Sequence, residues 1–286
     1  MKTKKMILAF LACFFSIFLF QSAKPIPASF RVAAYNIRYD AKMDMESGNA
    51  WVLRKEPLAR LILQHGFDIV GTQEGDSDQM KDLLELIPAF DMIAHPYGGK
   101  GDLHNAAILY KRDQFELLDS GVFWLSETPD VASIGWDATD RRICNWGKFK
   151  EKYSGKEFFF FNVHFYWRKQ IAKQESGPLV AAKIKEIAGD APVILTGDFN
   201  STPETSQIVA MKEVLTDVYD VSKTERQGVE GTGFPGGVFQ GAPDGRIDYV
   251  FVSSKIQVYD YKVLSDTYKD GRYPSDHLPV TSFIEF

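Results

Sequence analysis

The sequence predicts an α/β (α+β) fold in which two mixed β-sheets pack face to face with helices on the outside. Strand-like runs outnumber helical segments, and they occur both as hairpin-like pairs and as strand–helix–strand units. The 22 Phe and 12 Tyr residues also favour a β-rich interior. The excess of strands over helices argues against a doubly wound parallel sheet, in which helices alternate with strands.

Ten apolar or alternating runs predict the strands, and three helical patterns lie between some of them. The strand-like runs are residues 29–37, 67–74, 105–110, 117–125, 143–150, 156–165, 192–199, 246–253, 256–264 and 279–286. The helical patterns are residues 52–65, 77–87 and 173–190. Ser77 is typical of a helix N-cap, and Gly189 predicts the end of the third helix.

The first 23 residues predict a secretory signal peptide. Three lysines precede an apolar run from Met6 to Phe20, and small or polar residues follow up to Ala23. The run is short for a membrane span, although an uncleaved anchor is an alternative. Cys13 would suggest a lipoprotein, but the apolar run continues past it, so export without a lipid is the preferred interpretation. We therefore expect a periplasmic or extracellular protein.

The rest of the chain predicts one domain, from residue 28 to residue 286, because it contains neither a repeat nor a low-complexity linker. Signal cleavage removes three lysines and no acid, which takes the net charge from −5 to −8. An acidic protein has no general attraction to phosphate backbones, so nucleic acid is a possible partner that charge does not indicate. Cys144 is left without a disulfide partner, and its apolar context predicts a packed thiol. We expect a monomer with no stable membrane insertion.

Polar side chains follow the predicted strands at the positions where a site at the edge of the sheets would lie. The strand-like run from Val193 leads directly into Asp198 and Asn200. Taken singly, such residues most often form turns or solvated loops. Asp248 differs, because a carboxylate inside an apolar strand must find partners if it is buried. The other polar residues at strand ends are Asn36, Glu74, Asn162, His164, Asp276 and His277.

Together these side chains indicate phosphoester chemistry. Carboxylate and carboxamide oxygens suit Mg²⁺, Mn²⁺ or Ca²⁺ better than zinc. Histidines beside carboxylates can transfer protons near neutral pH. Arg141 and Arg142 could bind a phosphate group. Acyl transfer would instead need a positioned Ser or Cys nucleophile.

Eight sequence motifs, which run from "YNIR" at Tyr35 to "YPSDHLPV" near the C-terminus, resemble those of the endonuclease/exonuclease/phosphatase superfamily. This superfamily contains deoxyribonucleases, abasic-site endonucleases, sphingomyelinases and inositol polyphosphate phosphatases. The resemblance runs from about Phe30 to the C-terminus, and a secreted bacterial subgroup is the most similar group. It implies a four-layer sandwich with the site at one edge of the packed sheets. The motifs that carry it are "YNIR", "VGTQE", "WLSETPD", "RRICNW", "NVHF", "LTGDFN", "RIDYVFVS" and "YPSDHLPV".

The resemblance also implies a role for each site residue. Glu74 would bind the divalent metal, with Asn36 beside it and Asp276 at a second metal region. Asp198 would take part in activating water, and Asp248 would orient His277. His164 would contact the phosphate or assist the leaving oxygen, while Asn200 and Arg142 would hold the phosphate.

Four positions depart from the family pattern. Arg38 stands where abasic-site endonucleases carry an acid, which weakens the case for that activity. Tyr166 and Trp167 replace an Asp and a His of the bacterial subgroup. Either aromatic ring could stack on a base, a sugar or another ring, or could pack on the protein surface. His104 lies where the subgroup typically has an acid, and we assign it no role.

The sequence thus predicts an exported, metal-dependent phosphoester hydrolase. A phosphodiester, as in nucleases, is the preferred substrate. A lipid or sphingomyelin phosphodiesterase and a small phosphomonoesterase are alternatives on the same scaffold. A non-catalytic secreted binding protein is the alternative of another class, although such a protein would be expected to have lost part of the catalytic set.

Overall fold

The computed structural model describes residues 26–98 and 105–286. The predicted signal peptide, Cys13 and His104 lie outside these residues and stay predictions. Across the two described ranges, no helix combines the length and apolar character that a membrane crossing requires.

The strands confirm the predicted preponderance of β-structure. They are β1 (Ser29–Asn36), β2 (Ile69–Gln73), β3 (Phe90–Ile93), β4 (Ile108–Lys111), β5 (Phe115–Trp124), β6 (Ile143–Glu151), β7 (Glu157–His164), β8 (Val193–Asp198), β9 (Thr216–Asp217), β10 (Asp248–Val252), β11 (Gln257–Val258), β12 (Lys262–Val263) and β13 (Val280–Glu285). The helices are α1 (Lys42–Glu46), α2 (Trp51–Gln64), α3 (Ser77–Leu86), α4 (Gln170–Ala188), α5 (Ser206–Lys212) and α6 (Val218–Val221).

The strands form two mixed sheets, as predicted. The first sheet has the order β11-β13-β1-β2-β4-β3, with β12 also paired to β13, and the second has the order β5-β6-β7-β8-β10-β9. Each sheet contains one parallel pair near its centre, β1 with β2 and β7 with β8. The remaining neighbours are antiparallel, which matches the mixture of hairpin-like pairs and crossover units in the sequence.

Three layers of apolar packing separate the sheets and helices into a four-layer sandwich. One core fills the space between the sheets, a second joins β7, β8 and β10 to α4 and α5, and a third joins β1, β2 and β4 to α2 and α3. The run Phe158–Phe161 shows why both faces of β7 are apolar. Phe158 and Phe160 pack in the core between the sheets, whereas Phe159 and Phe161 pack toward the helices.

Strand pairing places the polar strand ends at one edge of the sandwich. In the second sheet His164, Asp198 and Asp248 lie side by side, because His164 pairs with Asp198 and Asp198 pairs with Asp248. In the first sheet Asn36 pairs with Gln73, so that Glu74 follows directly beyond the strand end. The two sheets therefore present their polar residues to the same region.

A polar network holds the two sheets together just behind this edge. Asn162 on β7 donates from Nδ2 to the carbonyl oxygen of Thr72 (2.7 Å). Its Oδ1 accepts from Gln73 Nε2 (2.7 Å) and from Thr196 Oγ1 (3.0 Å). Gly71 makes this close approach possible, since a Cβ at that position would overlap Thr196 Oγ1 and Asn162 Oδ1. The network fixes the spacing of the sheets next to the site.

The structure refines the sequence prediction in three places. The predicted strand at 256–264 is two short strands, β11 and β12, separated by three residues. Strands β3 and β9 and helices α1, α5 and α6 were not anticipated. The N-cap of α3 is Asp76 rather than Ser77, because Asp76 accepts from the backbone N–H of Gln79 (2.8 Å) and completes a capping box.

We expect the substitution Gly71→Ala to lower the free energy of unfolding by about 1–3 kcal/mol, since the added methyl group overpacks the contact between the sheets. Thermal and urea denaturation followed by circular dichroism would measure this change. Gly245→Ala is the matched control, because its Cβ would meet little besides the side-chain methyl group of Thr202 at 3.1 Å. Equal stability of the two variants would contradict the assigned role of Gly71.

Candidate active site

The predicted site residues form one connected pit at the edge where the strand ends meet. Asn36, His164, Asp198 and Asp248 are all buried. Glu74 keeps 19% of its side chain exposed, so the pit reaches solvent beside this carboxylate. Asp276 and His277, which precede β13, close the pit on the side of the first sheet.

The carboxylate of Asp198 lies at the centre of the pit. Its Oδ2 accepts from Asn36 Nδ2 (3.0 Å) and lies 3.5 Å from His164 Nε2 and 3.8 Å from His277 Nε2. Burial, together with the charge of Asp248, raises the pKa of Asp198 to about 7. A carboxyl group with this pKa can both take up and release a proton near neutral pH.

Asp248 and His277 form the predicted acid–histidine pair. His277 Nδ1 lies 2.9 Å from Asp248 Oδ2, and Asp248 is fully buried. Burial lowers the pKa of His277, but the carboxylates of Asp248 and Asp198 outweigh it and hold the pKa well above its usual value. The hydrogen bond to Asp248 fixes the ring so that Nε2 faces Asp198.

Tyr97 holds His164 in an orientation that the sequence did not indicate. The hydroxyl of Tyr97 lies 2.7 Å from His164 Nδ1. Burial raises the pKa of Tyr97, so the hydroxyl keeps its proton and can donate it to Nδ1. In that arrangement a neutral His164 carries its own proton on Nε2, which faces Asp198.

Asn36 and Glu74 connect the first sheet to Asp198. Asn36 Nδ2 donates to Glu74 Oε1 (3.2 Å) as well as to Asp198, so one amide group bridges two carboxylates. Its Oδ1 accepts from the backbone N–H of Arg38 (3.0 Å). Glu74 has a left-handed backbone conformation, with φ of 67°, which turns the chain sharply at the end of β2.

Arg38 lies among three acids on the open side of the pit. Its Nε donates to Asp44 (3.0 Å), and its Nη1 lies 3.6 Å from Asp276 Oδ2 and 4.0 Å from Glu74 Oε2. Burial raises the pKa of Asp276, and the positive charges of His277 and Arg38 offset part of this increase. Asp276, which the resemblance assigns to a second metal region, is thus paired with a guanidinium group.

The two predicted phosphate-binding residues border the pit next to His164. Asn200 follows β8 with φ of 48°, and its side-chain amide donates to the carbonyl of Phe165 (3.1 Å). The guanidinium carbon of Arg142 lies 5.3 Å from the centre of the Tyr97 ring and 5.5 Å from that of Tyr166. Arg142 is thus held between two aromatic rings beside the tyrosine that contacts His164.

The aromatic pair that replaces the subgroup's Asp and His has two different environments. Tyr166 is buried, and its hydroxyl shares a hydrogen bond with Thr139 (2.8 Å), so it packs within the protein. Trp167 is half exposed, and the guanidinium carbon of Arg168 lies 3.9 Å from the centre of its ring. Trp167 is therefore the ring of this pair that a substrate can reach.

The donor set fits a hard divalent cation. The pit brings together carboxylate and carboxamide oxygens, and Cys144, the free cysteine of the described residues, is buried away in β6. Burial raises the pKa of both Asp198 and Asp276, and the charges of Asp248 and Glu74 respectively raise them further. A bound cation would offset this local negative charge. Such donors bind Mg²⁺, Mn²⁺ or Ca²⁺.

Asp198, Asp248 and His277 form a second possible metal site, since their ligand atoms lie within 4.8 Å of one another. The hydrogen bond between Asp248 and His277 already uses Nδ1 of the ring. Glu74 is the more accessible carboxylate of the pit. The geometry therefore suits proton transfer at Asp198, Asp248 and His277, and ion binding at Glu74.

The structure brings all nine predicted site residues to the pit or its border. Asn200 lies just beyond the strand rather than on its face, because the chain turns at φ of 48°. Phe199 packs in the apolar core behind the pit. The sequence did not indicate Tyr97, Asp44 or the buried Arg54. "HPYGG" carried no strand or motif signal, and α1 and its Asp44 were not predicted.

Comparisons with known proteins identify the family and agree with the fold. A family model described as "Endonuclease/Exonuclease/phosphatase family" matches residues 33–277. The crystal structure of a family protein from Bacteroides thetaiotaomicron is 41% identical, with a TM-score of 0.86, covering 91% of this chain and 99% of that chain. A mannosyl-6-phosphatase of Bacteroides thetaiotaomicron is 40% identical, with a TM-score of 0.85, covering 90% and 100%. An uncharacterized protein of Acanthamoeba polyphaga mimivirus is 28% identical over 252 residues, which are 82% of this chain and 92% of that protein.

We expect Asp198→Ala and His277→Ala each to lower turnover of a chromogenic phosphoester by about 100-fold or more, because each removes a group that transfers or stabilises a proton. Steady-state kinetics would measure kcat, and circular dichroism would check folding. His65→Ala is the matched control, since His65 also pairs with an aspartate (Asp266, 2.9 Å) but lies at the end of α2. Unchanged kcat in both site variants would contradict the assignment.

We expect Tyr97→Phe to lower kcat about tenfold, as the loss of one buried hydrogen bond of about 1.4 kcal/mol would predict. Nitrogen NMR of the histidine rings should show His164 leaving the tautomer with its proton on Nε2, which a purely structural defect would not produce. Tyr261→Phe is the control, because that buried hydroxyl has no hydrogen-bond partner among the described residues. An unaltered His164 tautomer would argue against the positioning role.

Proposed function

Because the chain belongs to the endonuclease/exonuclease/phosphatase family, we propose that it is a divalent-metal-dependent hydrolase that releases phosphate from a small phosphorylated carbohydrate. The observation that carries the reaction class is the central Asp198 carboxylate. It lies between His164 and the Asp248–His277 pair, with Glu74 bridged to it by Asn36.

In this proposal Asp198 takes a proton from the water that attacks phosphorus. A new bond forms between the water oxygen and phosphorus, and the bond to the leaving oxygen breaks. His277, oriented by Asp248, stabilises the negative charge that builds on the phosphate. His164 donates a hydrogen bond from Nε2 to the leaving oxygen, and Tyr97 keeps that nitrogen directed at the reacting group. The leaving oxygen takes its proton from solvent, to which Asp198 releases the proton that it took from water.

Glu74, with Asn36 beside it, would hold the metal, and a bound Mg²⁺ would supply positive charge next to a phosphate oxygen. Arg142 and Asn200 hold the other phosphate oxygens. Arg142 is suited to this task because its contacts with Tyr97 and Tyr166 fix the guanidinium plane without neutralising its charge.

Two observations support a small phosphomonoester as the substrate. The relative named as a mannosyl-6-phosphatase is 40% identical and is covered along its whole length. The chain has a net charge of −5 and thus lacks a general attraction to polyanions. Arg38 and Arg54, the other arginines near the pit, are engaged by acids and by backbone carbonyls.

A phosphodiester is the second candidate, and it is the substrate that the sequence favoured. The half-exposed ring of Trp167, with Arg168 stacked on it, supports this candidate, because exposed aromatic rings can stack on nucleic acid bases.

We further propose that the protein is exported, on the strength of the basic and apolar pattern of its first 23 residues. Export would place the enzyme among extracytoplasmic phosphorylated compounds.

A substrate panel tests the proposed function. The purified chain would be incubated with mannose 6-phosphate, glucose 6-phosphate, p-nitrophenyl phosphate, bis-p-nitrophenyl phosphate, plasmid DNA and sphingomyelin, each with Mg²⁺ and with EDTA. We expect phosphate release from the hexose phosphates that EDTA abolishes and Mg²⁺ restores. The Asp198→Ala variant, purified in the same way, gives the background rate that is due to contaminating hydrolases.

The other outcomes separate the alternatives. Turnover of bis-p-nitrophenyl phosphate or plasmid DNA without turnover of any monoester would establish a diesterase, and turnover of sphingomyelin alone would establish a lipid phosphodiesterase. Equal rates with EDTA and with Mg²⁺ would remove the metal from the proposal. A folded protein that turns over nothing in the panel would favour the binding-protein alternative.

A further inference from the structure

We propose that Arg38 acts as a built-in cation at the acidic end of the pit and thereby limits the site to one divalent metal ion. The inference rests on the proposed function, because it concerns the ion that Glu74 and Asn36 would hold. The inference goes beyond the proposed function because it states how many ions the site holds and names Arg38 as the residue that sets this number.

The contacts of Arg38 place its positive charge where a second ion would have to bind. Its Nε and Nη2 lie 3.0 and 3.4 Å from the two carboxylate oxygens of Asp44. Its Nη1 lies between Asp276 Oδ2 (3.6 Å) and Glu74 Oε2 (4.0 Å). One guanidinium group is thus shared by the three carboxylates on this side of the pit.

The guanidinium group is held in place and stays charged. An arginine guanidinium keeps its positive charge in proteins, and this one is surrounded by the carboxylates of Asp44, Asp276 and Glu74. The side chain is only 14% exposed. The ring of Tyr39 packs against it, with the guanidinium carbon 4.6 Å from the ring centre.

Arg54 fixes the backbone that carries Arg38. This fully buried arginine donates to the carbonyl oxygens of Ile37 (2.9 Å), Arg38 (3.1 Å) and Tyr39 (3.3 Å). Arg38 itself has φ of 57°, a conformation that directs its side chain back toward Asp44. The cation therefore belongs to a rigid part of the pit and cannot easily swing away when an ion arrives.

Two metal ions in one hydrolytic site lie about 3.5–4 Å apart and share carboxylate ligands. A second ion bridged to the first through Glu74 and bound to Asp276 would need oxygen contacts of about 2.0–2.6 Å. Arg38 Nη1 occupies the space between those two carboxylates. The second ion would be excluded both by this nitrogen and by the repulsion between the two positive charges.

Calorimetric titration of the full chain with Mn²⁺ tests the inference, supported by the electron paramagnetic resonance spectrum of the bound ion. We expect wild type to bind one ion with the spectrum of an isolated Mn²⁺. Arg38→Met removes the charge and keeps the length of the side chain, so it should bind two ions with a spin-coupled spectrum. Arg38→Lys restores a cation and should return the number to one.

Arg31→Met is the matched control. Arg31 also pairs with an aspartate (Asp260, 2.9 Å) but lies near the other end of β1, so this variant should bind one ion like wild type. Circular dichroism would establish that each variant is folded before titration.

Three results would overturn the inference. The first is a spin-coupled pair of ions in wild type, which would overturn the inference whether or not Arg38→Met folds. The second is a folded Arg38→Met that still binds one ion with unchanged affinity. Wild type that binds no ion and is unaffected by EDTA would overturn the metal requirement of the proposed function as well. Two bound ions with Mg²⁺-dependent turnover would leave the proposed function standing and remove only the role of Arg38.

Discussion

The close approach of the two sheets at Gly71 is the constraint on which the rest of the structure depends. The site takes Asn36 and Glu74 from one sheet and His164, Asp198 and Asp248 from the other, so its geometry is set by the distance between the sheets. The absence of a side chain at Gly71 lets Asn162 reach Gln73, Thr72 and Thr196 directly. A spacer of packed apolar side chains would hold the sheets about 10 Å apart without fixing their register, whereas these directional hydrogen bonds fix both.

The pit concentrates acidic groups in a region that excludes much of the water. Burial raises the pKa of Asp198 and Asp276, and the charges of Asp248 and Glu74 add to that effect. His277 and Arg38 remain charged because the same carboxylates surround them. The protein thus balances its buried acids with the charged ring of His277, which lies between Asp248 and Asp198, and with Arg38, which faces the opening. This division separates the groups that transfer protons from the group that sets the local charge.

The sequence predicted the parts of this molecule that depend on local pattern. The two mixed sheets and most strands follow from apolar runs, and the nine predicted site residues follow from the motifs at the strand ends. The short strand β9 and the split of residues 256–264 depend on partners far along the chain, which a local pattern does not contain. Tyr97 and Asp44 act through contacts with His164 and Arg38 from loop or short helical segments. Nothing in the residues next to them in the sequence indicates those contacts.

Three of the five non-glycine residues with positive φ among the described ones are Arg38, Glu74 and Asn200, each just beyond a strand that enters the pit. Side chains other than glycine are strained in this conformation, by about 1–3 kcal/mol for each residue. A glycine at position 74 would relax the backbone and delete the carboxylate in the same step. Selection for heat resistance and selection for turnover therefore act in opposite directions at these bends. Stabilising such a protein by replacing its strained residues with glycine would therefore delete site side chains before it affected the rest of the fold.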